Sequence, residues 1–260
     1  MEQTMRGVLF ARGEVAAMPA AGLDRLVTAE PRRISEALVS FRAPSSLEAD
    51  QYRALRYRIE ERRRDSPFQI VAVTSPAPGD GKTVTALNLA GALAQSAQAK
   101  ILVIDGDFHQ PSVAAYLGLT DPPEIGLVDA ILNTSTTLAR VTSRVEALNL
   151  SVVLPGAHHG SAYELLTAPR FQALLADARH EYDYIVIDTP PATVLPDAPL
   201  LGRWIDGYVL VVTAHKTPKQ ALLDAVDALD RSKIVGTVLN GGERRHAYYG
   251  NYDTYYRPAR

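Results

Sequence analysis

The chain contains no cysteine. That removes disulfides, thiolate metal sites and a thiol nucleophile, and it fits a reducing compartment. Neither sign of charge is in real excess: 27 Lys and Arg against 29 Asp and Glu leave a formal charge of −2. No global field therefore draws the chain to nucleic acid or to an anionic membrane. No apolar run approaches the ~20 residues that a membrane helix needs. The start, Met1-Glu2-Gln3-Thr4, lacks the basic and apolar regions of a signal peptide. These absences lead to the expectation of a soluble cytoplasmic protein. What remains is ordinary globular usage, 47% hydrophobic and 22% charged in 260 residues. That is enough chain to bury a core without staples.

Residues 1–45 show no sustained period and carry Pro19, Pro31 and Pro44. They read as a poorly structured N-terminal arm, with short helices expected at Leu23–Val27 and Ile34–Leu38. From residue 46 the pattern tightens. Ser45 or Ser46 can cap a helix whose first turn holds Glu48 and Asp50, the acidity such a turn favours. Ala49, Tyr52, Leu55 and Ile59 recur at helical spacing, and the run to Arg64 is strongly basic. Strands and helices then alternate. Strands are expected at 69–74, 101–105, 151–154, 184–188, 208–213 and 234–239, and helices at 82–96, 164–180 and 218–231. Unbroken apolar runs mean strands covered on both faces, so the fold class is α/β, a mainly parallel sheet with helices on both faces. The domain is placed at residues 46–240. Beyond it, residues 241–260 lose all apolar period, and five of the 12 tyrosines fall in the last 13 residues. The composition break predicts a separate, mobile, tyrosine-rich tail.

Pro76-Ala77-Pro78-Gly79-Asp80-Gly81-Lys82-Thr83 follows a predicted strand and opens a predicted helix, the context a phosphate-binding P-loop needs. Its glycines let backbone N–H groups close around phosphate oxygens, and the helix start adds positive potential. Lys82 would reach the β- and γ-phosphates, and the Thr83 hydroxyl would hold Mg²⁺. Gly79 to Val84 form the expected nucleotide-binding stretch. Pro76 stands where the usual pattern has glycine. Two further strands end in acids: Asp105 and Asp107 after one, and Asp188, followed by Thr189-Pro190-Pro191, after another. Ligands of open α/β sheets sit beyond the carboxyl ends of the strands, and carboxylates there suit a magnesium nucleotide. Each acid could instead cap the helix that follows it.

With these motifs in order, the sequence resembles the bacterial tyrosine kinases of capsule and exopolysaccharide synthesis, over residues 46–260. Pro78 to Thr83 matches that family's P-loop, Ile101 to Asp107 its second Walker-type motif, and Asp188 to Pro191 its Walker B. Glu164-Leu165-Leu166 and Pro169-Arg170-Phe171 resemble the segment before Walker B, and the tyrosine tail is a hallmark. His109 stands where the family carries arginine. Asp50, Arg53 and Arg56 match the spacing of a family motif used between subunits of a ring; they share about a third of the helix circumference.

The resemblance implies a split cytoplasmic kinase that transfers phosphate from ATP, with Mg²⁺, to tyrosines of a neighbouring subunit. Lys82 and Mg²⁺ neutralise charge, and Thr83, Asp107 and Asp188 act on the metal. Asp105 is a candidate base or an orienter of the phenol; base and metal-water ligand are not told apart by sequence. Tyr248, Tyr249, Tyr252, Tyr255 and Tyr256 are the expected acceptors. The implied partners are copies of the chain in a ring, of which an octamer is one size, a membrane-bound polysaccharide chain-length regulator as activator, and a protein-tyrosine phosphatase. The activator would recruit the chain to the inner face of the membrane. Asn240 resembles a position that related ATPases use to read adenine, although Asn240-Gly241-Gly242 is also a natural turn. His158 and His159 read as exposed loop residues, and Trp204 as core. Rival readings are a nucleotide-binding scaffold without transfer and a partition-type ATPase, whose second lysine is here Ala77. A third rival, the tail as an aromatic nucleic-acid or sugar-binding strip, is disfavoured, because Arg244, Arg245, Arg257 and Arg260 are too sparse for a phosphate track.

Overall fold

A computed structural model describes residues 25–157 and 160–242. The expected histidine pair and the tyrosine tail lie outside these residues. The described elements begin with β1 (Arg25–Leu26), α1 (Val39–Arg42), α2 (Leu47–Asp65), β2 (Ile70–Thr74) and α3 (Lys82–Ala94). Next come β3 (Ile101–Asp105), α4 (Val113–Tyr116), α5 (Leu127–Leu132), α6 (Leu138–Val141), β4 (Thr142–Val145) and β5 (Leu150–Val153). The last are α7 (Ala162–Thr167), α8 (Pro169–Glu181), β6 (Tyr184–Asp188), α9 (Asp197–Leu201), β7 (Gly207–Thr213), α10 (Lys219–Ala228) and β8 (Ile234–Asn240).

The eight strands form one sheet in the order β1-β4-β5-β3-β6-β2-β7-β8. All neighbours run parallel except β4 and β5. Alternate side chains of each strand face opposite ways, which divides the interior into two cores. Ile70, Ala72, Leu102, Ile104, Ile185, Ile187 and Leu210 face the side carrying α5 and α7–α10. Val71, Val73, Ile101, Val103, Val186, Val209 and Val211 face α2, α3 and α4. The runs at β2, β3 and β6 are apolar throughout because both faces are covered.

Differences from the sequence reading have local causes. The single helix expected over 164–180 is two, broken at Ala168, whose ψ is 134°. Pro169 excludes helical backbone at the residue before it and starts α8 at its first position. Strand β4 was not anticipated, since Thr142-Ser143-Arg144 has no apolar run. Among the described residues no helix is found where 23–27 and 34–38 were expected to be helical: residues 25–26 form β1, and 34–38 are turns leading to α1. The segment 25–45, expected within a poorly structured arm, packs instead. Val27, Ala29, Ile34 and Leu38 are buried in the α3-side core. Glu30 and Ser35 donate their N–H groups to the Gly118 and Tyr116 carbonyls at 3.1 and 2.9 Å. Asn88 of α3 accepts from Ser40 N at 2.8 Å and donates to the Ala37 carbonyl at 2.9 Å. Tertiary partners, rather than any periodicity of its own, fix this strap.

Candidate active site

The P-loop connects β2 to α3. Gly79 and Gly81 have φ of +76° and +90°, left-handed values that carry no penalty only at glycine. Pro76 is buried with no left-handed backbone, so the loop does not need glycine there. Its carbonyl accepts from Thr193 Oγ1 at 2.6 Å.

Asp105 and Asp188 are direct partners in the register of β3 and β6, and β6 also pairs with β2. Three neighbouring strands therefore deliver the P-loop and both acids to one edge of the sheet. Lys82 Nζ lies 3.1 Å from Asp107 Oδ2. Thr83 Oγ1 donates to Asp188 Oδ2 at 2.6 Å and lies 2.9 Å from Ser112 Oγ. Asp188 is fully buried, and its Oδ1 has no hydrogen-bond partner. Burial pushes its carboxyl up to about 7, against the pull of Lys82 and Thr83 and helped by Asp105 and Asp107.

Asp105 behaves differently. Its Oδ2 accepts from the N–H groups of Ser112 and Val113 at 3.0 Å, and its Oδ1 from Asp107 N at 3.3 Å. It fastens the 107–113 loop and caps α4, the alternative that sequence left open. Burial pushes it up to about 6, and those backbone donors oppose the rise. Asp107 is held by its own turn, accepting from His109 N and Gln110 N at 3.2 and 2.9 Å.

The structure thus brings Lys82, Thr83, Asp105, Asp107 and Asp188 together. Asn240 lies at the P-loop, where its Nδ2 donates to the Asp80 carbonyl at 2.8 Å. Val84 lies in the first turn of α3, behind the loop. Asp50 and Arg53 pair with each other on α2. Arg56 is turned inward, donating to Glu60 at 2.7 Å and to the Ala92 carbonyl of α3 at 2.9 Å. Trp204 packs partly buried against the core. Sequence reasoning did not single out Ser112, Thr193 and Asp197. Ser112 was detectable as the residue before α4. Asp197 had no such signal: it is buried on α9, with Oδ2 3.3 Å from His109 Nε2. A groove of about 650 Å³ between α2 and β8, lined by Arg58, Arg62 and Arg64 among others, shares no residue with this site.

Residues 68–215 match the family model described as an AAA domain. The tyrosine-protein kinase YwqD of Bacillus subtilis is 35% identical over 225 residues, covering 85% of this chain and 93% of that protein. The chain belongs to the bacterial tyrosine-protein kinases. As such it is a protein-tyrosine kinase with an ATP-binding P-loop. The succinoglycan biosynthesis transport protein ExoP of Rhizobium meliloti is 28% identical over 241 residues, covering 85% of this chain but 30% of ExoP. Among solved structures, the chimerical protein CapA2B2 superposes with a TM-score of 0.73 at 28% identity, covering 85% of this chain and 96% of that one.

The raised Asp188 carboxyl carries a stability cost with a definite sign. Its folded value, about 7, exceeds the ordinary carboxyl value of 3.8, so the folded state holds the proton longer. The fold is favoured at low pH and loses that advantage as pH rises between those values. Asp188→Asn should therefore raise the melting temperature of nucleotide-free protein at pH 7.5, by at least the 2–4 °C that about 1 kcal/mol gives a domain of this size. At pH 5 the gain should shrink, because Asp188 is already protonated there. Equal gains at both pH values, or a loss at pH 7.5, would show that burial of this charge is not what destabilises the empty site.

Proposed function

We propose that the chain is a magnesium-dependent autokinase of polysaccharide polymerisation and export, transferring phosphate from ATP to the C-terminal tyrosines of a neighbouring copy. The observation that carries the magnesium reading is Asp188 Oδ1, a buried carboxylate oxygen without a partner, beside the Thr83 hydroxyl. An orphaned acid in a phosphate-binding loop fits a hard cation that takes one or two carboxylates and completes its shell with phosphates and water. Among the described residues no group of three or more His, Cys, Asp or Glu forms a metal cage, which suits this type of site. Thr83, Asp107 and Asp188 would hold Mg²⁺, directly or through its waters. The ion would supply charge neutralisation at the transferring phosphate.

Lys82 is the protein's own charge for that phosphate. Its contact with Asp107 keeps the ammonium in place before nucleotide arrives. A tyrosine phenol titrates near 10 and needs help to attack at neutral pH. The three N–H groups on the Asp105 carboxylate support the capping alternative over a base or an orienter of the phenol, with Asp105 holding the loop that bears Asp107. Acting as base would require Asp105 to give some of them up.

The tail lies outside the described residues, and its role rests on the family and on its five tyrosines. No helix among the described residues is long and apolar enough to cross a membrane. Activation and recruitment to the inner face of the membrane are assigned to a membrane-bound polysaccharide chain-length regulator, as the resemblance to the family implies. A phosphatase would reset the tail. The test is phosphotyrosine formation by purified protein in Mg-ATP, alone and with the activator's cytoplasmic end. No labelling under either condition would leave the scaffold reading in its place.

Ring assembly is proposed through the α2 face that carries Asp50 and Arg53, with Arg56 holding α2 to α3 inside the subunit. The two roles separate by mutation. Asp50→Ala with Arg53→Ala should lower the assembled mass in light scattering and leave the melting temperature of the subunit within about 2–4 °C, less than 1 kcal/mol. Arg56→Ala should lower the melting temperature, since it leaves the Ala92 carbonyl and Glu60 without their donor. Unchanged mass in the double variant of an assembling protein would remove α2 from the interface.

A further inference from the structure

The outer side of the P-loop is fastened at successive residues. The Gly79 carbonyl accepts from Lys216 Nζ at 3.0 Å. The Asp80 carbonyl accepts from Asn240 Nδ2 at 2.8 Å and from Thr213 Oγ1 at 3.3 Å. A side chain at Gly81 would put its Cβ 2.5 Å from Asn240 Nδ2, so the asparagine also closes on the loop's last glycine. The Asp80 side chain is buried in the middle of these contacts, 1% exposed. Its Oδ2 accepts from Ala77 N at 3.0 Å and its Oδ1 from Thr217 Oγ1 at 2.7 Å.

Thr217 belongs to the turn that follows β7. Its hydroxyl accepts from Thr213 N at 2.9 Å and gives its own proton to Asp80. The turn is tight: Thr217 N returns to the Thr213 carbonyl at 3.0 Å, and His215 takes a left-handed φ of 59°. It is tied to β8 as well, since Ala214 N donates to the Asn240 carbonyl at 2.8 Å. Together these groups hold the loop's carbonyls outward, which is the condition for its N–H groups to face inward.

We propose that Asp80 and Thr217 are positioning residues for the nucleotide phosphates, and that the Asn240 side-chain N–H serves the same clasp. A loop with two left-handed glycines has many conformations available, and binding must select one. The clasp makes that selection before nucleotide arrives, so affinity is not spent on ordering the loop. This inference rests on the nucleotide-binding reading of the P-loop.

The test is titration of full-length protein with a fluorescent N-methylanthraniloyl ADP and Mg²⁺, alongside thermal unfolding without nucleotide. Thr217→Val keeps the shape and removes the hydroxyl; it should weaken binding about tenfold while the unliganded protein stays folded, because preorganisation is lost. The KM for ATP should rise more than kcat falls. Thr217→Ser should restore binding to within about twofold, since it restores the same hydrogen bond. Asp80→Ala should weaken binding at least as much, and adding Thr217→Val to it should cost little more, because both remove one interaction. Additive losses, a valine variant that binds like wild type, failure of serine to restore binding, or a valine variant that has lost its fold would each overturn the clasp. Wild-type protein that binds no nucleotide would overturn the P-loop reading with it. Wild-type binding beside unchanged variants would overturn the clasp alone.

Discussion

Lys82→Met should abolish ATP-dependent tyrosine phosphorylation. The substitution keeps a flexible chain of similar length and removes only the ammonium, the point charge proposed to face the β- and γ-phosphates. It also leaves Asp107 without its partner at 3.1 Å, next to Asp105 and Asp188. Three carboxylates would then crowd a site with one fewer cation, and Mg-nucleotide affinity should fall with activity. Transferring phosphate without that charge should cost at least about 10³-fold in rate, the size of a lost cationic contact in phosphoryl transfer. Phosphotyrosine immunoblots and nucleotide titration measure both. Undiminished labelling would mean that another group faces the phosphates, and the assignment of residues 76–83 as the phosphate loop would be lost.

The site was legible because its parts sit at strand ends. Asp105 and Asp188 stand next to runs such as Ile101–Ile104 and Tyr184–Ile187, whose unbroken apolarity announces a central parallel strand. Register then does the rest: the two strands pair with their last residues opposite. What escaped was whatever depends on partners distant in sequence. Residues 25–45 have no period because they follow the surface of α3 and α4, and their order comes from groups such as Asn88 and Gly118. The inward turn of Arg56 depended on where α3 lies, so spacing alone placed it on a common face with Asp50 and Arg53. Thr217 and Asn240 reach Asp80 from 137 and 160 residues away, a separation no local pattern reports. Lys82 and Thr83, by contrast, belong to a motif contained in eight consecutive residues, so a local pattern could single them out.

Changing Tyr248, Tyr249, Tyr252, Tyr255 and Tyr256 together to Phe should remove nearly all autophosphorylation while nucleotide binding persists. The chain has 12 tyrosines, and the structure describes the other seven. Tyr208 and Tyr184 lie on central strands at 0% and 9% exposure. The Tyr208 hydroxyl also donates to the Ala198 carbonyl at 2.7 Å, and burial raises its pKa. Tyr52 is set between α2 and α3, its phenol likewise pushed up by burial. None of these reaches a neighbour's phosphate without unfolding. Tyr57 and Tyr163, at 50% and 59% exposure, have accessible rings but sit on α2 and α7, whose backbones are committed to the fold. The five tail tyrosines follow β8 closely in sequence, and several acceptors on one segment raise the local concentration of phenol at a neighbouring site. Each phosphate adds about −1.5 to −2 charge, so on the proposed assembly a fully modified tail should drive subunits apart. The five-fold Phe variant keeps every ring and loses every hydroxyl. It should remain assembled in Mg-ATP under conditions where wild type dissociates, as read by light scattering beside the phosphotyrosine signal. Labelling as strong as wild type, with phosphate mapped to Tyr57 or Tyr163 by mass spectrometry, would move the acceptor site onto the folded domain.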